Sequence, residues 1–327
     1  MSVVEIGGHA FELRDLSPGD REDLLSLHRE VFGDGASEAW YEWKYVRGGG
    51  LGSGLWHQGK LVAHCGGVPR ALRVEGSPRT GIQIGDVMVA PQFRGVLTRR
   101  GPFFHVSQQF YDGHVGAGRD SAVAFGFPSE RHLRLAVKSQ LLWDGGPVHA
   151  LSWTAAAAQP GWAWRWKELD PAAAQFDGAV ESAWHEMQSA LGEFVVGERN
   201  APYVRWRFLE RPGRSHAFFA LRRAWSARVR GVAIVDLSQP TAQWLDWIGR
   251  PQDMVLACAF CRDEAQRAGA THLGAWATPA VAQSLAATGI AHSSVTAWLG
   301  IPRRSDLAEA DIPRLRWWLM GGDTDFL

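Results

Sequence analysis

The sequence has 327 residues, 46% hydrophobic and 21% charged, which is ordinary globular usage with room for about two domains, and it excludes disorder and coiled coil. Lys and Arg number 34, as do Asp and Glu, so the net charge of zero argues against bulk electrostatic binding to nucleic acid or membrane, though not against a local basic patch. No apolar run reaches the ~18 residues of a membrane span, and the first residues show neither a basic nor a long apolar region of a signal peptide.

In chain order, residues 10–14 alternate like a strand. A helix is predicted over 18–32: Ser17-Pro18 supplies its cap and first residue, and Leu24, Leu25, Leu27, His28 and Val31 lie on one face. A short helix follows at 37–46, then strands at 53–57, 60–74 and 81–90. A helix over 100–112, a buried strand at 121–126 and a helix at 129–138 come next. Strands at 140–154 are expected to close this first unit. Residues 155–163 read as a linker.

The order then repeats. A strand at 164–169 precedes helices at 175–191 and 199–210. Strands follow at 215–223, 226–237 and 242–248, a long helix at 251–268 and a strand at 271–277. A short helix at 279–288 and strands at 291–300 and 314–320 end the chain. Two segments carry the repeat most openly. Tyr41, Trp43, Lys44 and Tyr45 in the first half match Tyr203, Trp206, Arg207 and Phe208 in the second, with one residue of difference in spacing. The halves are therefore read as two copies of one α/β domain, residues 1–160 and 161–327, each a mixed, mostly antiparallel sheet with helices on both faces.

Two compositional features stand out. There are 17 Trp, and nearly all positive charge is Arg, with Lys only at 44, 60, 138 and 167. Large aromatic cores are the expected use of the Trp. Three Cys cannot build a disulfide framework, and Cys258 and Cys261, although spaced as CxxC, lie in the predicted helix with no second pair to complete a zinc site. All three are read as packing residues in a reducing cytoplasm, and no metal site is expected.

The stretch with most chemistry is 82–112. A strand runs into Pro91, then a loop with Arg94, Gly95, Arg99, Arg100 and Gly101, then a helix. Glycines let backbone N–H groups approach an anion, the helix start adds partial positive charge, and arginines add charge-assisted donors. This pattern suits a pyrophosphate.

The element order and this loop resemble the GNAT acyltransferase superfamily, in tandem two-domain form. Its coenzyme A signature, Gln/Arg-x-x-Gly-x-Gly/Ala, falls on Gln92, Phe93, Arg94, Gly95, Val96 and Leu97. Leu97 departs from it, and Arg99, Arg100 and Gly101 lie ready for a substitute contact. The Phe127-Pro128-Ser129 turn and the chain ending around Trp317-Trp318 are similar to those of bacterial tandem members. The resemblance implies an acyl-CoA, most simply acetyl-CoA, as co-substrate and the amine of a small molecule or peptide as acceptor; the zero net charge leaves neither nucleic acid nor membrane as an expected partner. It places the pantetheine arm along Val87, Met88 and Val89. Ser129 is expected to cap its helix or face the coenzyme.

The resemblance puts the proton acceptor on the same strand, where Asp86 stands; His64 is a second candidate, and His132 is within reach of a leaving thiolate. The family's usual late-helix Tyr is replaced by Ala136. The second copy's loop, Trp247 to Met254, lacks the glycine spacing and arginine cluster, so it is read as degenerate. Trp40 and Trp43 stand where an acceptor wall is expected, or pack helix to sheet. An N-acyltransferase is the expected function. The alternatives are an inactive tandem protein that binds a ligand or partner, and an acyl transfer from aminoacyl-tRNA, which the zero net charge disfavours.

Overall fold

Alternating and continuous apolar runs become two sheets, and the amphipathic stretches become the helices that cover them. The computed structural model describes residues 2–33, 35–94, 100–158, 161–238, 240–324 and 327. In chain order the first elements are β1 (Ser2–Ile6), β2 (His9–Asp15), α1 (Arg21–Phe32), α2 (Glu38–Tyr41), β3 (Leu51–His57), β4 (Lys60–Val74), β5 (Ser77–Val89), α3 (Pro102–His114), β6 (Val123–Phe125), α4 (Glu130–Lys138) and β7 (Leu142–Thr154). There follow β8 (Trp164–Glu168), α5 (Phe176–Ala190), β9 (Phe194–Gly197), α6 (Ala201–Val204), β10 (Ala217–Arg223), β11 (Val229–Asp236), β12 (Thr241–Gly249), α7 (Met254–Arg267), β13 (His272–Ala277), α8 (Pro279–Ser284), β14 (His292–Pro302) and β15 (Arg316–Trp318).

The chain divides into two units. The first is Met1–Ala71, Arg79–Gly145 and Trp298–Arg314; the second is Leu72–Pro78, Gly146–Ala297 and Leu315–Leu327. This partition differs from a single boundary at 160, and backbone pairing supplies the reason. The strand expected to close the first sheet, β7, pairs antiparallel with β13, His149 to Thr154 against Ala277 to His272. Conversely Gly300, near the end of β14, exchanges hydrogen bonds with Gly126 of the first unit.

In the first unit, strands run in the order β1-β2-β3-β4-β5-β6. Neighbours from β1 to β4 are antiparallel, and β5 and β6 are parallel. Its core gathers Leu24 and Leu27 of α1, Val106 and Phe110 of α3, and Leu55, Ala63 and Ile82 of the sheet. In the second unit the order is β14-β7-β13-β12-β11-β10-β8. Val232–Val235 are fully buried, as expected of a strand covered on both faces. Phe176, Val180, Ala183 and Met187 form the buried stripe of α5. β9 pairs antiparallel with Leu72–Val74 of β4 and parallel with β15, so these two strands extend the sheet that contains β4. Trp153, Trp244, Trp247 and Trp318 are among the largest fully buried side chains, so much of the Trp content is core.

Candidate active site

The site begins where β5 and β6 part. They pair only at Gly81–Gln83 against Val123–Phe125. Beyond that point Gly126 bonds to Gly300, while β5 continues to Val89. Among the described residues, the edge of Val87, Met88 and Val89 that would face β6 thus has no strand partner. Amide groups of an extended ligand fit such an edge.

Asp86 marks the bend. Its φ of +51° is the left-handed region, which Asp and Asn tolerate better than most side chains. Its carboxylate Oδ2 lies 2.8 Å from Lys44 Nζ and accepts the Tyr45 hydroxyl at 2.7 Å. The Lys44 side chain is 1% exposed and that of Asp86 8%. Both donors come from one π-helical turn, Glu42–Arg47, which continues α2. Ser37 caps α2 by accepting from the Trp40 N–H. The wider backbone of the π turn sends the consecutive Lys44 and Tyr45 toward one carboxylate. Trp40 lies over Lys44 Nζ at 5.3 Å, and Tyr41 stacks on Tyr45 at 5.2 Å.

His64 lies under this group. Its Nδ1–H donates to the Asp86 carbonyl at 2.7 Å, which leaves Nε2 as the unprotonated nitrogen. That Nε2 is buried and has no hydrogen-bond partner among the described residues. Gly52 and Gly66 make room for the ring: a Cβ on either would lie 2.5 Å from it. Burial pushes the imidazole down to about 4, against the pull of Asp86. The sign follows. The unfolded chain binds this proton near pH 6.5 and the folded chain only near 4, so stability is complete above 6.5 and falls as pH drops toward 4. The loss is ~3 kcal/mol by linkage. A melting series from pH 7 to pH 4 is expected to flatten in His64→Gln.

The predicted coenzyme residues are positioned as follows. Gln92 and Phe93 sit in a 3-10 turn, Pro91–Phe93, and Phe93 packs edge-on against Phe11. Arg94 turns back to donate Nε–H to the Val89 carbonyl at 2.8 Å. Gly95, Val96, Leu97 and Arg99 lie outside the described residues. Arg100 covers Phe104, and Gly101 is the N-cap of α3. Ser129 accepts from the His132 N–H and caps α4. His132 is exposed on that helix. Partial desolvation holds its ring below the usual value, with Arg131 and Arg94 adding to the shift. Ala136 is buried.

The predicted residues Asp86 and His64 therefore meet, while His132 stands apart on α4. Lys44 and Tyr45 are the partners sequence reasoning missed. A signal was present. Asp86 precedes Pro91-Gln92 by the same spacing with which Asp246 precedes Pro251-Gln252.

The second unit repeats the device with different partners. α6 also runs into a π turn, Arg205–Leu209. Asp246 takes two hydrogen bonds from Arg199 Nε, at 2.9 and 3.0 Å, and Arg199 also reaches Asp323 at 2.5 Å. All three side chains are at most 1% exposed. The loop predicted to hold the phosphate has no counterpart there: the turn Pro251–Asp253 enters α7 directly at Met254, whereas residues 94–101 separate the corresponding turn from α3 in the first unit. Asp253 is the N-cap of α7, which sets a carboxylate at the helix start where a phosphate would bind.

Residues 12–133 match the family model described as acetyltransferase (GNAT) domain. No curated protein sequence matches significantly. Among solved structures, a conserved Enterococcus faecalis protein described as a probable N-acyltransferase matches with a TM-score of 0.66 at 11% identity, over 89% of this chain and 71% of that one. A GCN5-related N-acetyltransferase from Kribbella flavida matches at 0.59 and 15% identity, over 89% and 70%. Saccharomyces cerevisiae N-myristoyltransferase with bound myristoyl-CoA matches at 0.55 and 11%, over 89% and 82%. Residues 12–133 thus carry the match to the acetyltransferase (GNAT) domain, and the chain as a whole shares the fold of these structures, with two mixed, mostly antiparallel sheets, each matching a GNAT-like fold.

Proposed function

We propose that the first unit is an acyl-CoA-dependent N-acyltransferase and that the second, residues 161–327 in the main, is a copy that kept the fold without the phosphate cradle. The parting of β5 from β6 beside Val87, Met88 and Val89 carries this reading. The GNAT fold implies an acyl-CoA co-substrate, and the residues present suit one. The β5 edge would hold the pantetheine amides. Gln92, Arg94, Arg100 and the N-terminus of α3 at Gly101 would meet the pyrophosphate, together with Gly95, Val96, Leu97 and Arg99. Acetyl-CoA is the simplest donor, and a small-molecule or peptide amine the acceptor.

Asp86 is reassigned in this reading. A carboxylate whose Oδ2 already faces Lys44 and Tyr45 is a poor free base. It positions the π turn and the bend in β5, and so the wall that an acceptor would meet. His132, electrostatically coupled to Arg94, belongs to the coenzyme side.

Thermal unfolding with acetyl-CoA and with coenzyme A tests the proposal. A ligand of the folded state stabilises it by ~2.7 kcal/mol at a hundred times its dissociation constant. An upward shift is expected, lost when Arg94, Arg99 and Arg100 become Ser together. No shift at millimolar ligand would sink the reading. The engaged Asp86 and the buried Ala136 favour one second reading, a coenzyme-binding protein without turnover. Thiol release from acetyl-CoA with any amine of a screen would exclude it.

A further inference from the structure

The second unit carries an aromatic and basic tip that the acyl-transfer reading does not use. Trp162 is 81% exposed and Trp225 is 65% exposed, and their rings lie 5.8 Å apart. Both stand in turns at the same end of the sheet. Trp162 precedes β8 and Trp225 follows β10, and Arg223 at the end of β10 pairs with Trp164 at the start of β8. Arg223 stacks on the Trp164 ring at 3.7 Å.

The charges are one-sided. Segments 161–167 and 222–230 contain no Asp or Glu. Arg165 and Arg222 are directly opposite each other across the β8–β10 ladder, on the same face. Like charges so placed repel. Arg228 and Arg230 are engaged by buried Glu186, while Arg165 and Arg222 carry no ion pair among the described residues. On a chain of zero net charge this is a local excess that an external anion would relieve.

We propose that this tip seats on an anionic phospholipid surface, with Trp162 and Trp225 entering the headgroup layer and Arg165 and Arg222 facing its phosphates. Indole rings favour that depth, and basic side chains are drawn to anionic leaflets. The protrusion of both Trp from turns favours a surface that can be entered over a base-stacking platform, which needs a groove along a strand. No helix among the described residues is long and apolar enough to cross a membrane, so the contact is peripheral.

Co-sedimentation of the full chain with phosphatidylcholine vesicles, with and without phosphatidylserine, tests this. Retention is expected only with phosphatidylserine, and it weakens as salt rises. Each arginine near the surface is worth about a fivefold change, so Arg165→Ser with Arg222→Ser should lose about thirtyfold. Trp162→Ser with Trp225→Ser should also lose retention. Trp162, Arg165 and Trp225 are exposed and Arg222 is half-buried, and an unchanged melting curve confirms that each variant is folded. Equal retention on both vesicle types, none on either, or full retention of the arginine variant overturns the proposal. Tighter binding to a single-stranded oligonucleotide, lost in the same variants, would overturn it in favour of nucleic acid.

Discussion

Replacing Arg199 with Leu is expected to destabilise the second unit by at least ~3–5 kcal/mol, the usual cost of removing one partner from a buried ion pair. The cost here falls on two carboxylates. Arg199 is fully buried, its Nε bonds both oxygens of Asp246, and its other arms hold Asp323 and the Gly197 carbonyl. Without it, Asp246 and Asp323 would share a dry site as like charges, with the Trp247 and Met320 N–H groups still donating to them. Burial already raises the Asp246 carboxyl, and Arg199 is what opposes this. Removing the cation raises it further, so protons become the relief. The deficit against wild type should narrow as pH falls, because a neutral carboxyl is cheaper to bury. Urea melts at pH 7 and pH 5 would show both effects. Arg199→Lys should be intermediate, since Lys keeps the charge without the planar fork. A loss under ~1 kcal/mol for Arg199→Leu would show that the triad does not hold this unit.

Lys44→Met is the corresponding experiment in the first unit, and a loss of ~3–5 kcal/mol is expected there too. Met fills a similar volume and removes the charge, which leaves Asp86 buried with the Tyr45 hydroxyl. The double variant Lys44→Met with Asp86→Asn should recover most of the loss, since no isolated charge remains. Asn is the right partner because it accepts the positive φ at residue 86, whereas Ala would add ~1 kcal/mol of strain. The same variants separate two roles for Asp86. If it positions the acceptor wall, Asp86→Asn keeps the coenzyme A shift and retains part of the turnover. If it is the proton acceptor, the shift remains and turnover collapses across all pH.

Much of the molecule was legible in the sequence, for identifiable reasons. The helices at 18–32, 100–112, 175–191 and 251–268 are amphipathic over several turns, and each appears with only its ends displaced. The tandem repeat was legible because aromatic and basic residues recur in one order, and both copies fold as a short helix running into a π turn. The GNAT resemblance rested on a local strand–loop–helix and is supported by residues 12–133. What escaped was short or remote. β1 and β9, five and four residues long, are too brief for periodicity to register. Lys44 lies 42 residues before Asp86, and nothing local announces the pair.

Periodicity, caps and motif spacing depend on neighbours in the chain, so the sequence alone determined the α/β class and the repeated fold, and it suggested the loop proposed for the coenzyme. Partner choice depends on which distant groups are buried together, and only the tertiary structure decided that. It gave β7 to β13, parted β5 from β6 after Gln83, and left Asp86 facing Lys44 and Tyr45 in a dry site. A carboxylate reads the same in any sequence. Its surroundings, a buried ammonium here and a guanidinium at Asp246, decide whether it takes a proton or holds a turn in place.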